Sequence, residues 1–282
     1  MKIFKLRVSD TDFFELSKRE FETQTHMMAP WFNHQAESER HFAVCPACNN
    51  TIQILHLYNE TQTLHGKHNL RSSVGLQDRS TLLYCPHYSK RPALTPESRR
   101  RREDTISSEV RELLIDHFDR VVYFIKQTLG LRYPDWRLQD MLSNYLNSRG
   151  WLYSGANLIN IPWIFLYQSR AQNMVSLGIL NEKIRDAITA YNDKITFNKY
   201  HNLERPEGEH IELNVSFVHH SQTIIQHEII ETLELQVIGS DNYVVYSEVV
   251  NFEHDRFVSL MNSNNEIYRD SHQVELARQI LG

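Results

Sequence analysis

Apolar and polar positions alternate at the start of the chain. Phe4, Leu6 and Val8 stand against Lys5 and Arg7, which predicts a short strand with a basic outer face. Ser9 and Asp10 are placed to cap a following helix that carries Phe13, Phe14, Leu16 and Phe21. From His26 to Pro92 the pattern fades into a histidine-rich segment with no long apolar period. Helical periodicity returns after Asp104. Ile106, Val110, Leu113, Leu114, Val121, Val122 and Ile125 recur at steps of three and four and predict one amphipathic helix ended by Gly130. Asp135 can cap a second helix, with Leu138, Met141, Leu142, Tyr145 and Leu146 on one face and Gly150 as its stop. A third begins at Ile161-Pro162, with proline in the first turn, where its missing N–H costs little. Its run from Trp163 to Tyr167 is apolar all round, so it should be the buried central helix. A fourth carries Ile184, Ala187, Ile188 and Tyr191 behind Asn181.

The last third changes period. Ile211, Leu213, Val215 and Phe217 alternate with Glu212, Asn214 and Ser216, and Leu233, Leu235 and Val237 alternate with Glu234 and Gln236. A turn at Gly239 to Asn242 and a strand from Tyr243 to Val250 complete a small antiparallel sheet with one wet, acidic face. Residues Gln273 to Leu281 read as a closing helix.

Composition narrows the class. With 41% hydrophobic and 23% charged residues over 282 positions, the chain can bury a core and is not a disordered tail. Its longest apolar stretch, Ile159 to Tyr167, is about half of what a membrane-spanning helix needs, and Met1 to Lys5 has no signal-peptide character. A cytoplasmic, soluble protein is therefore expected. Nine glycines leave little material for nucleotide-cradling loops, and no glycine-rich phosphate loop, G-x-S-x-G or H-E-x-x-H is present, so a small-molecule substrate is not expected. The net charge of −5 is unevenly spread. From His87 to Arg102 the balance is +5, and from Glu204 to Arg256 it is −9.

Three cysteines change the picture of the featureless segment. In Cys45-Pro46-Ala47-Cys48, two thiolates three residues apart can share one ion. The third, in Tyr84-Cys85-Pro86-His87, repeats the Cys-Pro element 37 residues beyond Cys48. Zinc wants four tetrahedral nitrogen or sulfur ligands. With no cysteine left, the fourth falls to a histidine: His65, His68 or His87. His87 follows Cys85 too closely for the usual knuckle, and His68 is favoured. A redox C-x-x-C would need a strand-helix context that Asn49-Asn50-Thr51 does not start. Structural zinc would supply the folding energy that this polar segment cannot draw from a core.

Cysteine pairs that enclose a histidine-bearing hairpin also resemble the zinc-stapled HNH (ββα-metal) nucleases, over residues 41–92. The resemblance implies that His65 or His68 acts as general base beside a phosphate. The chain departs from that pattern in lacking the second cysteine of the second pair and the asparagine expected before Cys85.

Arg99, Arg100, Arg101 and Arg102 form a run whose guanidinium forks suit phosphate oxygens. His219, His220 and His227 are read as exposed or core-edge residues, and His254-Asp255 as a chance pair. Together these readings predict an α+β fold in four parts: a zinc-stabilised N-terminal module (1–92), a basic linker (93–104), a helical domain (105–200) and an antiparallel sheet with a closing helix (201–282). The expected function is non-enzymatic: a zinc-stabilised factor that binds nucleic acid or joins a complex, as in a defence or mobile-element system. A degenerate nuclease, and a scaffold that binds a protein partner through its acidic C-terminal face, are the alternatives.

Overall fold

A computed structural model of the chain describes residues 1–35, 38–72, 74–204, 208 and 211–282. Strands β1 (Ile3–Phe4) and β2 (Phe14–Glu15) pair antiparallel and lead to helix α1 (Lys18–Thr25). The cap of α1 is Ser17, whose hydroxyl accepts from the Glu20 N–H, and not Ser9 or Asp10. Asp10 accepts instead from the Arg7 N–H in a turn. Phe14, expected in the helix, lies in a strand because Phe4 gathers Phe14 and Phe21 around itself, each 5.5 Å away by ring centroid. Tertiary burial of three aromatics outweighs local propensity here.

Strands β3 (Phe32–Gln35), β4 (Ser38–Val44), β5 (Thr51–Leu55) and β6 (His65–His68) form an antiparallel meander in sequential order. Ile52 and Ile54 are buried on one face together with Ala43, and Phe42 and Val44 are buried on the other. The one-turn helix α2 (Arg79–Leu82) follows, capped by Asp78.

The expected single helix after Asp104 is two, α3 (Thr105–Asp116) and α4 (Phe118–Leu129). Asp104 and Ser107 form a reciprocal capping box at the start. The chain leaves helical geometry at His117. Beyond the break, Phe118 is fully buried edge-on to Phe165, and the buried Asp119 carboxylate meets Arg269 and the Asp270 N–H. These partners lie far away in sequence, so periodicity alone did not show the break. Gly130 ends α4 in the left-handed region (φ 66°), with its backbone against Asn181.

Strand β7 (Leu131–Arg132), helix α5 (Asp135–Ser148), helix α6 (Ile161–Gln168), strands β8 (Gln172–Asn173) and β9 (Gly178–Ile179), helix α7 (Glu182–Tyr191) and strands β10 (Thr196–Phe197) and β11 (Leu203–Glu204) follow. Helix α5 ends at Ser148, two residues before Gly150, with Arg149 in the left-handed region. Helix α6 is buried from Ile161 to Leu166, as its all-apolar sequence requires. Asn181 caps α7 by accepting from the Lys183 and Ile184 N–H groups.

The C-terminal sheet has the order β14-β13-β12-β8, with β12 (Asn214–Ile225), β13 (Glu228–Ile238) and β14 (Val244–Asn251). Val215, Phe217, Leu233, Leu235 and Val237 point to the core and their alternating neighbours to the wetter face. Of the residues behind the acidic balance, Arg205, Glu207 and Glu209 lie outside the described residues. Helix α8 (His254–Met261), which the pattern did not announce, precedes α9 (Ser271–Leu281), capped by Asp270.

Buried apolar residues form one cluster from Met1 to Leu281. Segment 93–104 runs along the helical region: the Arg100 N–H donates to the Leu152 carbonyl and the Ser154 N–H to the Ser98 carbonyl. Among the described residues no helix is long and apolar enough to cross a membrane.

Candidate metal centre

The turn between β4 and β5 closes as the C-P-x-C spacing requires. The Cys45 N–H donates to the Asn50 carbonyl and the Asn49 N–H to the Cys45 carbonyl, each at 2.9 Å. Asn49 is left-handed (φ 57°), a conformation asparagine tolerates well. Strand β6 pairs with β5 in a register that sets His68 opposite Ile52 and brings its ring back toward Cys48. Cys85 arrives from the turn after α2, its N–H bonded to the Leu82 carbonyl.

Four donor atoms thus converge, all within 4.8 Å of one another: Cys45, Cys48 and Cys85 Sγ and one His68 ring nitrogen. Cys45 Sγ stands 3.8 Å from Cys85 Sγ, and His68 Nε2 lies 3.4 Å from Cys48 Sγ and 3.6 Å from Cys85 Sγ. The three cysteines are buried and free of disulfides. Burial pushes the Cys45 and Cys85 thiols well above the ordinary range. Burial acts on Cys48 in the same direction, but hydrogen bonds from the two other thiols and the nearby His68 ring override it and hold that thiol low. Three buried cysteine sulfurs and an imidazole nitrogen gathered at one point are the donor set of a cation site, and the cluster can hold a metal ion.

Asn50, whose part the sequence did not reveal, ties the centre together. Its amide donates to the Cys48 carbonyl, to Cys48 Sγ and to Thr81 Oγ1, and its carbonyl accepts from the Asp78 N–H. It thereby links the knuckle to the helix that delivers Cys85. Gly75 packs its backbone on the same turn, where an added Cβ would stand 2.7 Å from the Asn49 carbonyl oxygen.

The other candidate histidines lie outside the cluster. His65 bonds the Thr63 carbonyl and stacks on His227, ring centroids 4.0 Å apart. Burial pushes the His87 imidazole down to about 3, and its Nε2 has no partner among the described residues. The four arginines divide. Arg99 reaches the Pro96 carbonyl and Gln168. Arg100 is buried, paired with Asp104 at 2.8 Å and bonded to the Ala156 carbonyl. Arg101 and Arg102 are exposed.

A second polar cluster joins residues that the sequence left apart. A bulge between Val218 and Ser221 turns His219 outward to Glu234 and sends His220 inward, past the sheet edge where it was expected, to a fully buried side chain. There Glu231, also buried, accepts from His220 Nε2 at 2.7 Å, Asn160 Nδ2 at 2.7 Å and Gln222 on one oxygen, and from His254 Nε2 at 2.8 Å on the other. Burial alone would raise the Glu231 carboxyl, but the bonds from the two imidazoles take it down to about 2. Strand alternation marks Glu231 as an inward position among Leu233, Leu235 and Val237; a carboxylate there was the available signal.

No protein-family model, curated protein or solved structure matches this chain.

Proposed function

We propose that Cys45, Cys48, His68 and Cys85 hold one structural zinc ion, and that the module so stapled binds nucleic acid along a groove beside it. The donor geometry carries the first part. Around a tetrahedral zinc, with Zn–S of about 2.3 Å and Zn–N of about 2.0–2.1 Å, neighbouring donors stand roughly 3.6–3.8 Å apart. Three of the six donor–donor edges, at 3.8, 3.4 and 3.6 Å, are close to those of that tetrahedron, and all six lie within 4.8 Å. Thiolate-rich ligands select zinc over magnesium or calcium. Four protein ligands leave no open position for substrate, so the ion is structural.

A groove of about 740 Å³ next to His68 supports the second part. Arg71 and Arg79 line it, exposed and without an ion-pair partner among the described residues, beside Tyr88 and Asn69. Tyr84, next to the groove residue Leu83, accepts from the Arg101 N–H and so carries the surface on to the exposed Arg101 and Arg102. Between His65 and Arg102 nine lysines and arginines stand against Asp78 and Glu97, a local +7 in a chain of −5. Guanidiniums meet phosphates and a tyrosine face stacks on a base, the combination that single-stranded nucleic acid requires.

The test is fluorescence anisotropy of the zinc-loaded protein with labelled single- and double-stranded oligonucleotides across a salt series. Binding should weaken with salt. Replacing Arg71, Arg79, Arg101 and Arg102 by alanine should lower the slope by roughly 0.7–0.9 for each phosphate that is no longer neutralised. Absence of binding at low salt rejects the nucleic-acid reading and leaves a zinc-stapled scaffold. Metal-dependent plasmid cutting that disappears in His65→Ala would replace it with a nuclease.

A further inference from the structure

A second cavity, of about 540 Å³, opens on the far side of the Cys85 turn, between the N-terminal strands and helix α8. His87, Phe252, His254 and Ile229 line its inner part. His254 is held there by its Nε2, which bonds buried Glu231 at 2.8 Å. In the neutral ring Nε2, which donates to the carboxylate, carries the proton and Nδ1 is left with a lone pair. Nδ1 has no partner among the described residues, and the side chain keeps 11% of its surface exposed. His87 adds a second imidazole with an unpartnered buried nitrogen.

The rim is acidic. Glu15, Glu228 and Asp255 are exposed and have no ion-pair partner among the described residues. Glu253 is occupied by Arg256 at 2.7 Å, and Arg256 in turn lies over the Phe124 ring. Three open carboxylates therefore face two ammoniums, that of Lys2 and that of the Met1 N-terminus, which acts on Glu228 and His87. The Glu231 charge, one imidazole deeper, adds to the negative potential at His254. A lone pair at the bottom, an aromatic wall at Phe252 and carboxylates at the mouth together suit a ligand that donates hydrogen bonds and carries positive charge. A metal ion fits less well, because among the described residues the only converging set of three or more His, Cys, Asp or Glu donors is the cysteine cluster.

We propose that this cavity is a receptor for one lysine or arginine side chain of a basic polypeptide partner, with His254 Nδ1 accepting from the ammonium or guanidinium and Glu15, Glu228 and Asp255 closing around it. Glu231 is the positioning residue: it fixes the tautomer and orientation of His254 and does not touch the ligand. The site is independent of the groove beside His68 and of any nucleic acid bound there.

Blocked tripeptides Gly-Lys-Gly and Gly-Arg-Gly are the probes, with Gly-norleucine-Gly as the uncharged control. They are titrated into the full zinc-loaded chain and followed by the histidine ring-nitrogen signals in NMR and by calorimetry. The cationic peptides should shift His254 saturably while the control leaves it unmoved. The exposed triple substitution E15Q/E228Q/D255N should weaken binding by roughly tenfold or more without altering the fold. Ile229→Lys, which brings an ammonium of its own to the cavity, should abolish it. Equal shifts with the norleucine peptide, unchanged affinity in the triple variant, or a His254 response to zinc or manganese but not to the peptides would each overturn the proposal, as would no response at all.

Discussion

Two buried polar clusters lie in this molecule, and they are built on opposite principles. At the cysteine centre three sulfurs and one imidazole nitrogen converge, and burial opposes ionisation of the Cys45 and Cys85 thiols. Around Glu231 every donor meets an acceptor: two imidazoles and two amides on one carboxylate. The first arrangement is one that a bound cation would stabilise by replacing the thiol protons. The second is complete without one. Convergence of buried polar atoms is thus not in itself a sign of a metal; convergence of like atoms is.

The sharpest way to break this comparison is to deny the cysteine centre the proposed zinc. Structural zinc binding is worth about 10–16 kcal/mol in small zinc modules, and that energy is folding energy. A strong chelator, or Cys45→Ser, should therefore abolish amide-exchange protection in β4, β5 and β6, and elemental analysis of the untreated protein should give one zinc per chain. Protection that survives chelation would show that the sulfurs pack as ordinary buried thiols. Next in size is the loss of Glu231. Glu231→Ala leaves His220, Asn160 and Gln222 without their acceptor and should cost about 3–5 kcal/mol in urea unfolding, the cost of breaking a buried charged pair. A loss under about 1 kcal/mol would mean that the network adds nothing beyond packing.

Acid sharpens the comparison further. The Glu231 carboxyl is held at about 2, below its usual 4.5, so the fold favours its charged form. The stability it contributes is fully present above pH 4.5 and is lost as pH falls from 4.5 toward 2. The stability difference between wild type and Glu231→Gln, followed by urea unfolding of chelator-treated and zinc-loaded protein, should shrink across that window; a constant difference would refute the linkage. The smallest effect is expected at His65. It stacks on His227 outside the cluster, so His65→Ala should leave zinc content unchanged, whereas His68→Ala should lower zinc affinity strongly. Loss of zinc in the His65 variant would reassign the fourth ligand.

Local signals suffice where the chemistry is local. The C-P-x-C turn, the apolar helix at Ile161, the Asn181 cap and the β12–β13 alternation all follow from neighbours in sequence. The cap at Ser17, the break at His117 and the inward turn of His220 do not, because each is decided by a partner far along the chain: Phe4 for Phe14, Arg269 for Asp119, Glu231 for His220. Arg100 makes the same point. It belongs to a run read as a phosphate-binding part of a basic linker, yet it is buried against Asp104 and the Ala156 carbonyl.

By itself the sequence determined the α+β class, the periods of its helices and strands, and three of the four donors of the cluster, since spacing, capping and cysteine chemistry act over a few residues. Only the tertiary structure decided that His68 and not His65 or His87 completes the cluster. The reason is geometric: the β5–β6 register points the His68 ring at the sulfurs, and no short-range rule fixes that register. It likewise decided that Glu231, His220 and His254, up to 34 positions apart, share one buried charge, because burial of a carboxylate selects its partners by distance in space and not along the chain.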